Sequence, residues 1–364
     1  MSGIFEQAKA FFVQGIGDYQ AGRFDAAETA FTASLSLLPG RASTLANLGA
    51  TRLKLGRPEE ALDLLDEALA KQPDDIEALG HRATALAELD RHPPALACVD
   101  RILALDAGRG EAWSLRGRLL RDLGRDSEAI AALEQALAHG ADNALNRYFL
   151  AGLKGKDAPD APPPRYVQGL FDNYAAQYDQ HLVQVLSYSA PQVLVAGLGQ
   201  RGQPYVSALD LGCGTGLCGP LLRPRVTWLE GVDLSANMLE RAAALGVYDE
   251  LVQADLVAHL GTTERRHDLV VAADVFIYVG ELAPVFEGVA RVLEVGGSFC
   301  FSVEEATGDH DLVLLPSLRY AHSERMVRAL GGRFGFEIAA CNRQAIREHQ
   351  GVPVPGLFTW LVRR

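Results

Sequence analysis

Small and large apolar positions recur through the first half of the chain at one fixed step. Small residues fall at Gly15, Gly49, Ala83, Gly117 and Ala151, and a second small series at Ala27, Ala61, Ala95 and Ala129, both advancing by 34 residues. Large apolar residues keep the same step at Phe31, Leu65, Val99 and Leu133, as do turn residues at Gly22, Gly56, Asp90 and Gly124. Pro39 and Pro73 close the first two units, and Ala107 and Ala141 stand in the equivalent places later. Such a pattern predicts a pair of antiparallel helices per unit, in which the small residue lets the helices approach and the large one fills the adjoining gap. Four units fit, at about 8–41, 42–75, 76–109 and 110–143, with Ala144–Lys154 as a capping first helix.

The pattern then changes. Gly155–Arg165, GKDAPDAPPPR, holds four prolines and predicts an extended, stiff linker. This sets a repeat domain at 1–154, a linker at 155–165 and a second domain at 166–364. Tyr166–Leu186 carries apolar and aromatic residues at helical spacing, and from Val206 onward apolar runs alternate with helical segments, which indicates a parallel sheet. The fold class is α + α/β: an N-terminal α-solenoid followed by a Rossmann-like, doubly wound domain.

Composition narrows the partners. At 364 residues, 48% hydrophobic and 22% charged, the chain is too charged for a membrane bundle and too apolar for a disordered one. The net charge is −12 and acidic residues exceed basic ones in both halves, so the phosphate-neutralising surface of a nucleic-acid module is not expected. The five cysteines are scattered without a C-x-x-C pair, against a disulfide framework, a structural zinc or any metal site. Glu6 and Lys9 interrupt the first apolar stretch, unlike a signal peptide, and no run reaches the ~18 apolar residues of a membrane span. A cytoplasmic protein without membrane attachment is expected.

The 34-residue pattern resembles the tetratricopeptide repeat, with Arg82 and Arg116 standing where that family usually has apolar residues. The resemblance implies a superhelical scaffold whose concave face holds a peptide or protein. Groove positions by that analogy include Phe12, Ile16, Asn47, Lys54, Thr84, Arg118 and Arg121, and they do not form the basic-and-amide clamp that some members use for a carboxyl terminus. A peptide partner, packing on the chain's own second domain, and self-association all stay open.

The chemistry lies in the second half. In VSALDLGCGTGLCG (Val206–Gly219) an apolar strand ends at Asp210 and a loop carries Gly212, Gly214 and Gly216 before a helix; glycines there permit positive φ and close approach of a ligand to backbone N–H groups. The spacing is G-x-G-x-G, not the dinucleotide G-x-G-x-x-G. Asp233 ends the next strand 23 residues after Asp210, near the ~20-residue offset at which an acid meets ribose hydroxyls. Asp255 follows a third strand, positioned for an exocyclic amine.

These segments, LDLGCGTG, GVDLS and QADL, resemble the motifs of class I S-adenosylmethionine-dependent methyltransferases. HDLVVAADVFIYVG (His267–Gly280) resembles that family's fourth strand, ARVLEVGGSFCFSVEE (Ala290–Glu305) its next helix, turn and strand, and FDNYAAQYDQHL the lid helix of the ubiquinone- and biotin-pathway type. Together with the repeats, the chain resembles a bacterial group of tetratricopeptide-containing methyltransferases. The resemblance implies S-adenosyl-L-methionine as cofactor and S-adenosyl-L-homocysteine as product, with Gly212, Cys213, Gly214 and Gly216 around the methionine and ribose. It places Asp210 on loop amides or the cofactor amino group, Asp233 with Leu234 at the ribose, Asp255 with Leu256 at the adenine, Ala273 among the cofactor contacts, and Asp274 beside the methyl donor. Tyr174 and Tyr178, four apart on one helix face, would cover the sulfonium. Competing structural roles are a plain strand–helix turn for the glycines, a helix cap for Asp255 and ordinary packing for the tyrosines.

Methyl transfer is an in-line displacement that needs alignment, water exclusion and, where required, a base. Acceptor-side candidates are Asp274, Glu304, Glu305 and the run Arg319, Tyr320, His322, Ser323. His322 is the candidate base, and Arg319 or Arg347 the candidate binder of an anionic acceptor. Cys213 and Cys218 are expected to pack, not to act as nucleophiles. The acceptor, a peptide, protein or small metabolite, is open; a scaffold that binds the cofactor without catalysis is the alternative.

Overall fold

A computed structural model describes residues 2–141, 143–174, 188–199, 203–349 and 352–364. The chain divides into two compact units, Met1–Leu150 and Ala151–Arg364.

The first unit is built from successive helix pairs: α1 (Ser2–Gln20) with α2 (Phe24–Leu37), α3 (Ala42–Lys54) with α4 (Pro58–Lys71), α5 (Ile76–Glu88) with α6 (His92–Leu105), and α7 (Gly110–Asp122) with α8 (Asp126–Ala138), followed by α9 (Asn143–Lys154), whose last residues fall in the second unit. The 34-residue series have a direct physical meaning here. A Cβ at Gly15 would stand 2.6 Å from the Phe31 ring, at Gly49 2.8 Å from Leu65 Cγ, and at Gly117 2.7 Å from Leu133 Cγ. Ala27, Ala61, Ala95 and Ala129 are wholly buried, as are Phe31, Leu65, Val99 and Leu133. The turn inside each pair uses a left-handed residue: Gly22, Gly56, Asp90 and Gly124 have φ of 74°, 72°, 56° and 69°, the conformation that ends a helix and reverses the chain.

In the second unit α10 (Pro164–Tyr174) and α11 (Ala190–Gly197) precede a sheet of nine strands among the described residues. Strands β1 (Tyr205–Leu211), β2 (Val226–Asp233), β3 (Glu250–Gln253), β4 (His267–Ala272) and β5 (Leu293–Glu305) lie parallel in the order β3-β2-β1-β4-β5. The chain winds outward from β1 to β3 and returns to β4 on the other side of β1, which opens a crevice at the carboxyl ends of β1 and β4. Short β6 (Leu312–Leu314) and β7 (Tyr320–His322) extend the sheet beyond β5, and the hairpin β8 (Phe336–His349) and β9 (Val352–Arg363) adds β9 antiparallel to β5. Helices α12 (Gly219–Leu222), α13 (Ala236–Ala244), α14 (Leu256–Thr262), α15 (Ala283–Val292) and α16 (Glu324–Arg333) make the connections.

Strand alternation supplies two cores. Leu209, Val270, Phe299 and Phe301 point to one face with Phe276 and Phe286, while Ala208, Leu269, Val271 and Cys300 point to the other with Phe358 and Trp360. The solenoid-plus-doubly-wound architecture therefore follows the hydrophobic pattern.

The division between the units falls after Leu150, and the proline-rich segment lies in the second unit. The reason is specific bonding. Tyr320 Oη donates to the Pro159 carbonyl at 2.7 Å and the Glu281 N–H donates to the Asp160 carbonyl at 2.8 Å, so the segment is fastened rather than spanning solvent. No helix among the described residues is long and apolar enough to cross a membrane, and among them no cluster of His, Cys, Asp or Glu has the makings of a metal site.

Candidate active site

The glycine loop is tied to the end of β2 by its own backbone. The N–H groups of Gly212 and Cys213 donate to the Val232 carbonyl at 2.8 and 2.9 Å, and the Gly214 N–H donates to Asp233 Oδ2 at 2.9 Å. The other Asp233 oxygen accepts from the Ser235 N–H at 2.9 Å, so two amides fix the carboxylate plane. Gly212 has φ 70° and a Cβ there would stand 2.6 Å from both Val275 methyls; Gly214 has φ 55° and open space where a side chain would be. Glycine is thus required at the first position by packing and at the second by backbone conformation.

A cavity of about 320 Å³ opens beside this loop. Among the residues expected at a cofactor, Gly212, Gly214, Asp233, Leu234, Asp255, Leu256 and Ala273 line it, and so does Asp274 from the acceptor-side set. Asp255 also caps α14, accepting from the Ala258 N–H at 2.9 Å. Gly216 lies elsewhere, turned toward Leu245 and Tyr248. Asp210 and Cys213 line a smaller pocket next to the loop, together with Gly212 and Ala273. Asp210 is buried and accepts from the Tyr248 hydroxyl at 2.7 Å; the amide bonds expected of it are made by Val232 and Asp233 instead. Burial raises the Asp210 pKa to about 7, against the lowering effect of the Tyr248 bond. Burial likewise pushes the Cys213 and Cys218 thiols well up, which disfavours the thiolate that a nucleophile needs. Tyr174 is the last residue of α10, and Tyr178 lies outside the described residues.

Beyond β4 and β5 stands a buried ionic cluster. Asp274 has φ 58°, a left-handed conformation held by its N–H bond to Ser302 Oγ at 2.9 Å. Its Oδ2 is 2.5 Å from Arg347 Nη1, Arg347 Nη2 donates to Glu304, and Arg319 Nη1 is 3.9 Å from Glu304. Burial raises the pKa of Asp274 and of Glu304, with Arg347 opposing; burial acts against the Arg347 charge, but the two carboxylates overcome it and its pKa rises. Asp274 Oδ1 is buried with no hydrogen-bond partner among the described residues.

The Arg319–Ser323 run is divided by the structure. Arg319 joins the ionic cluster. Tyr320 bonds Pro159, and His322 is fully buried, its Nε2 donating to the Gly280 carbonyl at 2.9 Å. Burial lowers the His322 pKa to about 4, and neither Tyr320 nor His322 lines the cavity. Ser323 caps α16 through the Met326 N–H at 3.0 Å, and Glu305 pairs with Arg343 at 2.7 Å. Residues that sequence reasoning misses include Tyr248, Tyr278, Met238, Val275 and the cavity-lining Ala161, Pro162 and Pro164. Tyr278 lies inside the fourth-strand motif and its ring meets Phe171 edge-on at 5.1 Å; the prolines carry no local signal of a ligand site.

Residues 209–301 match the family model described as a methyltransferase domain. The second unit carries a methyltransferase domain. Residues 18–80, 52–119 and 110–138 match models of the tetratricopeptide repeat, so the first unit carries those repeats. Among curated relatives, methyltransferase-like protein 27 of Homo sapiens is 44% identical over 85 residues, covering 22% of this chain and 34% of its own. A malonyl-[acyl-carrier protein] O-methyltransferase of Enterobacter lignolyticus is 30% identical over 155 residues, covering 43% of this chain and 57% of its own. The chain thus spans about a third and somewhat over half of these relatives' lengths. Among solved structures, magnesium protoporphyrin IX methyltransferase from Synechocystis with bound SAH is 19% identical with TM-score 0.44, covering 55% of this chain and 99% of that one. A MamA crystal structure is 25% identical with TM-score 0.36, covering 38% and 81%.

The residues present fit S-adenosylmethionine, the cofactor that the sequence resemblance implies. The loop leaves open space at Gly214, and two carboxylates, Asp233 and Asp255, reach one cavity from successive strand ends. Each is an acceptor suited to hydroxyl or amine donors.

Proposed function

We propose that the chain is an S-adenosylmethionine-dependent methyltransferase that acts on an acceptor bound at the carboxyl ends of β4 and β5. The observation that carries this reading is the convergence of Gly212, Gly214, Asp233 and Asp255 on one cavity with Asp274 at its margin. The cofactor supplies an electrophilic methyl group on a sulfonium. Asp233 accepts the ribose hydroxyls, Asp255 accepts the adenine amine, and Gly214 leaves the backbone accessible. Tyr174 and Tyr178 are assigned to the sulfonium by the family resemblance alone. On the acceptor side Asp274 is the group that meets the nucleophile, with Arg347 and Arg319 balancing its charge and that of Glu304. The bonds that Tyr320 and His322 make to Pro159 and Gly280 argue for positioning roles rather than proton transfer. The tetratricopeptide repeats recruit a peptide or protein, either the methyl acceptor or a partner that controls access to a smaller one.

The test is thermal unfolding with S-adenosylmethionine and S-adenosylhomocysteine. At 100 times its dissociation constant a ligand stabilises by ~2.7 kcal/mol, and Asp233→Ala removes the response. A wild-type midpoint that moves with neither compound refutes the reading. Transfer of radiolabelled methyl into cell lysate then separates an enzyme from a cofactor-binding scaffold.

A further inference from the structure

Four separate features of the second unit act on one short stretch of chain. Tyr320 Oη donates to the Pro159 carbonyl at 2.7 Å, and the Glu281 N–H donates to the Asp160 carbonyl at 2.8 Å. Gly280 passes under the same stretch with no room for a side chain: a Cβ there would stand 2.6 Å from the Asp160 oxygen and 2.8 Å from the Tyr320 ring. His322, through Nε2 on the Gly280 carbonyl, fixes the loop that makes this close approach. A spacer between domains needs none of these. Directly after the clamped carbonyls, Ala161, Pro162 and Pro164 line the cavity that also holds Gly214, Asp233 and Asp255.

We propose that residues 157–164 are a wall of the cofactor site, a strap clamped by Tyr320, Gly280 and Glu281 that covers bound S-adenosylmethionine or S-adenosylhomocysteine. The inference rests on the methyltransferase reading above. Prolines suit the task because their φ is preset, so little chain entropy is lost when the strap is ordered over a ligand. Their rings add apolar surface that excludes water from a buried ligand. The methyltransferase match begins only at residue 209, so the strap is a contribution from sequence outside the recognised domain.

The test uses the full chain and S-adenosylhomocysteine as probe, with binding followed by calorimetry and dissociation by stopped flow. Tyr320→Phe removes one hydrogen bond to the strap and keeps the ring; a neutral bond is worth about 1 kcal/mol, or ~5-fold, so the dissociation constant rises about 5-fold. Gly280→Ala pushes on the Asp160 carbonyl and raises it ~10-fold or more, chiefly through faster dissociation. Hydrogen exchange on the wild type gives a readout independent of any variant: the amides of 157–165 slow when the probe binds. Wild-type binding with unchanged affinity in both variants overturns the strap, as does slowing confined to the β1–α12 loop. Absence of wild-type binding instead overturns the methyltransferase reading, so the two failures are distinguishable. Far-UV circular dichroism of the ligand-free variants confirms that folded proteins are compared.

Discussion

His267 and His322 are wholly buried, and each is held neutral with a pKa of about 4, by burial in both cases and also by the neighbouring Arg265 charge at His267. An unfolded histidine titrates near 6.5, so as the pH falls the unfolded chain takes up these protons first. The stabilisation from the two residues is complete above about pH 6.5 and is lost between 6.5 and 4, at about 1.4 kcal/mol per pH unit for each. Of nine histidines, these two are expected to show imidazole resonances that do not titrate above pH 5 in the folded protein, read by proton NMR. Recovery of ordinary titration on unfolding fits this expectation; titration of both near 6.5 in the folded protein contradicts it. At this scale the sequence is a mixed guide. Asp233 and Asp255 are legible because a strand end followed by an acid places the group on the crevice edge whatever surrounds it. His322 is not, because its residue type suggests a base while its burial and its Gly280 partner depend on a loop 42 residues away.

Among elements, the helix pairs are readable throughout because each period marks a packing requirement. Gly49 stands 34 residues from Gly15, and in both places the space of a side chain is filled by the second helix of the pair. Gly17, by contrast, sits in α1 with nothing within 4 Å of where a Cβ would stand and an ordinary helical backbone. Gly49→Ala is therefore expected to destabilise by about 1–3 kcal/mol through overpacking, while Gly17→Ala stabilises by about 0.5–1 kcal/mol through helix propensity. Urea denaturation of the two variants, one falling and one rising in midpoint, checks the contrast. The proline-rich segment is harder to read for a related reason. Proline content reports stiffness and the absence of helix, and those properties are shared by a spacer and a strap; only the donors from Tyr320 and Glu281, far off in sequence, separate the two.

For the molecule as a whole, two units with separate cores predict separable responses to ligand. Residues of the cavity proposed for the cofactor come entirely from Ala161–Val279, inside the second unit. Scanning calorimetry with S-adenosylhomocysteine is expected to raise the midpoint of the transition carrying the second unit and to leave the repeat unit's transition in place; equal movement of both contradicts this. Fold class is legible at this scale because both halves announce themselves by period, 34 residues in one and alternating strands and helices in the other. The acceptor is not, because the cluster of Asp274, Glu304, Arg319 and Arg347 proposed to face it is assembled from separate stretches of chain with no common motif.

The buried thiols carry a consequence of their own. Cys213, Cys218 and Cys300 sit inside the second unit, and burial keeps each protonated far above its ordinary range. Peroxide and disulfide exchange act on the thiolate, so burial that disfavours the thiolate slows both reactions at these sulfurs in the folded protein. Opening of the domain returns them to ordinary acidity and exposes them together. A molecule that has unfolded once under oxidising conditions is then marked covalently, and its sulfur chemistry becomes a record of lost structure rather than of exposure to oxidant.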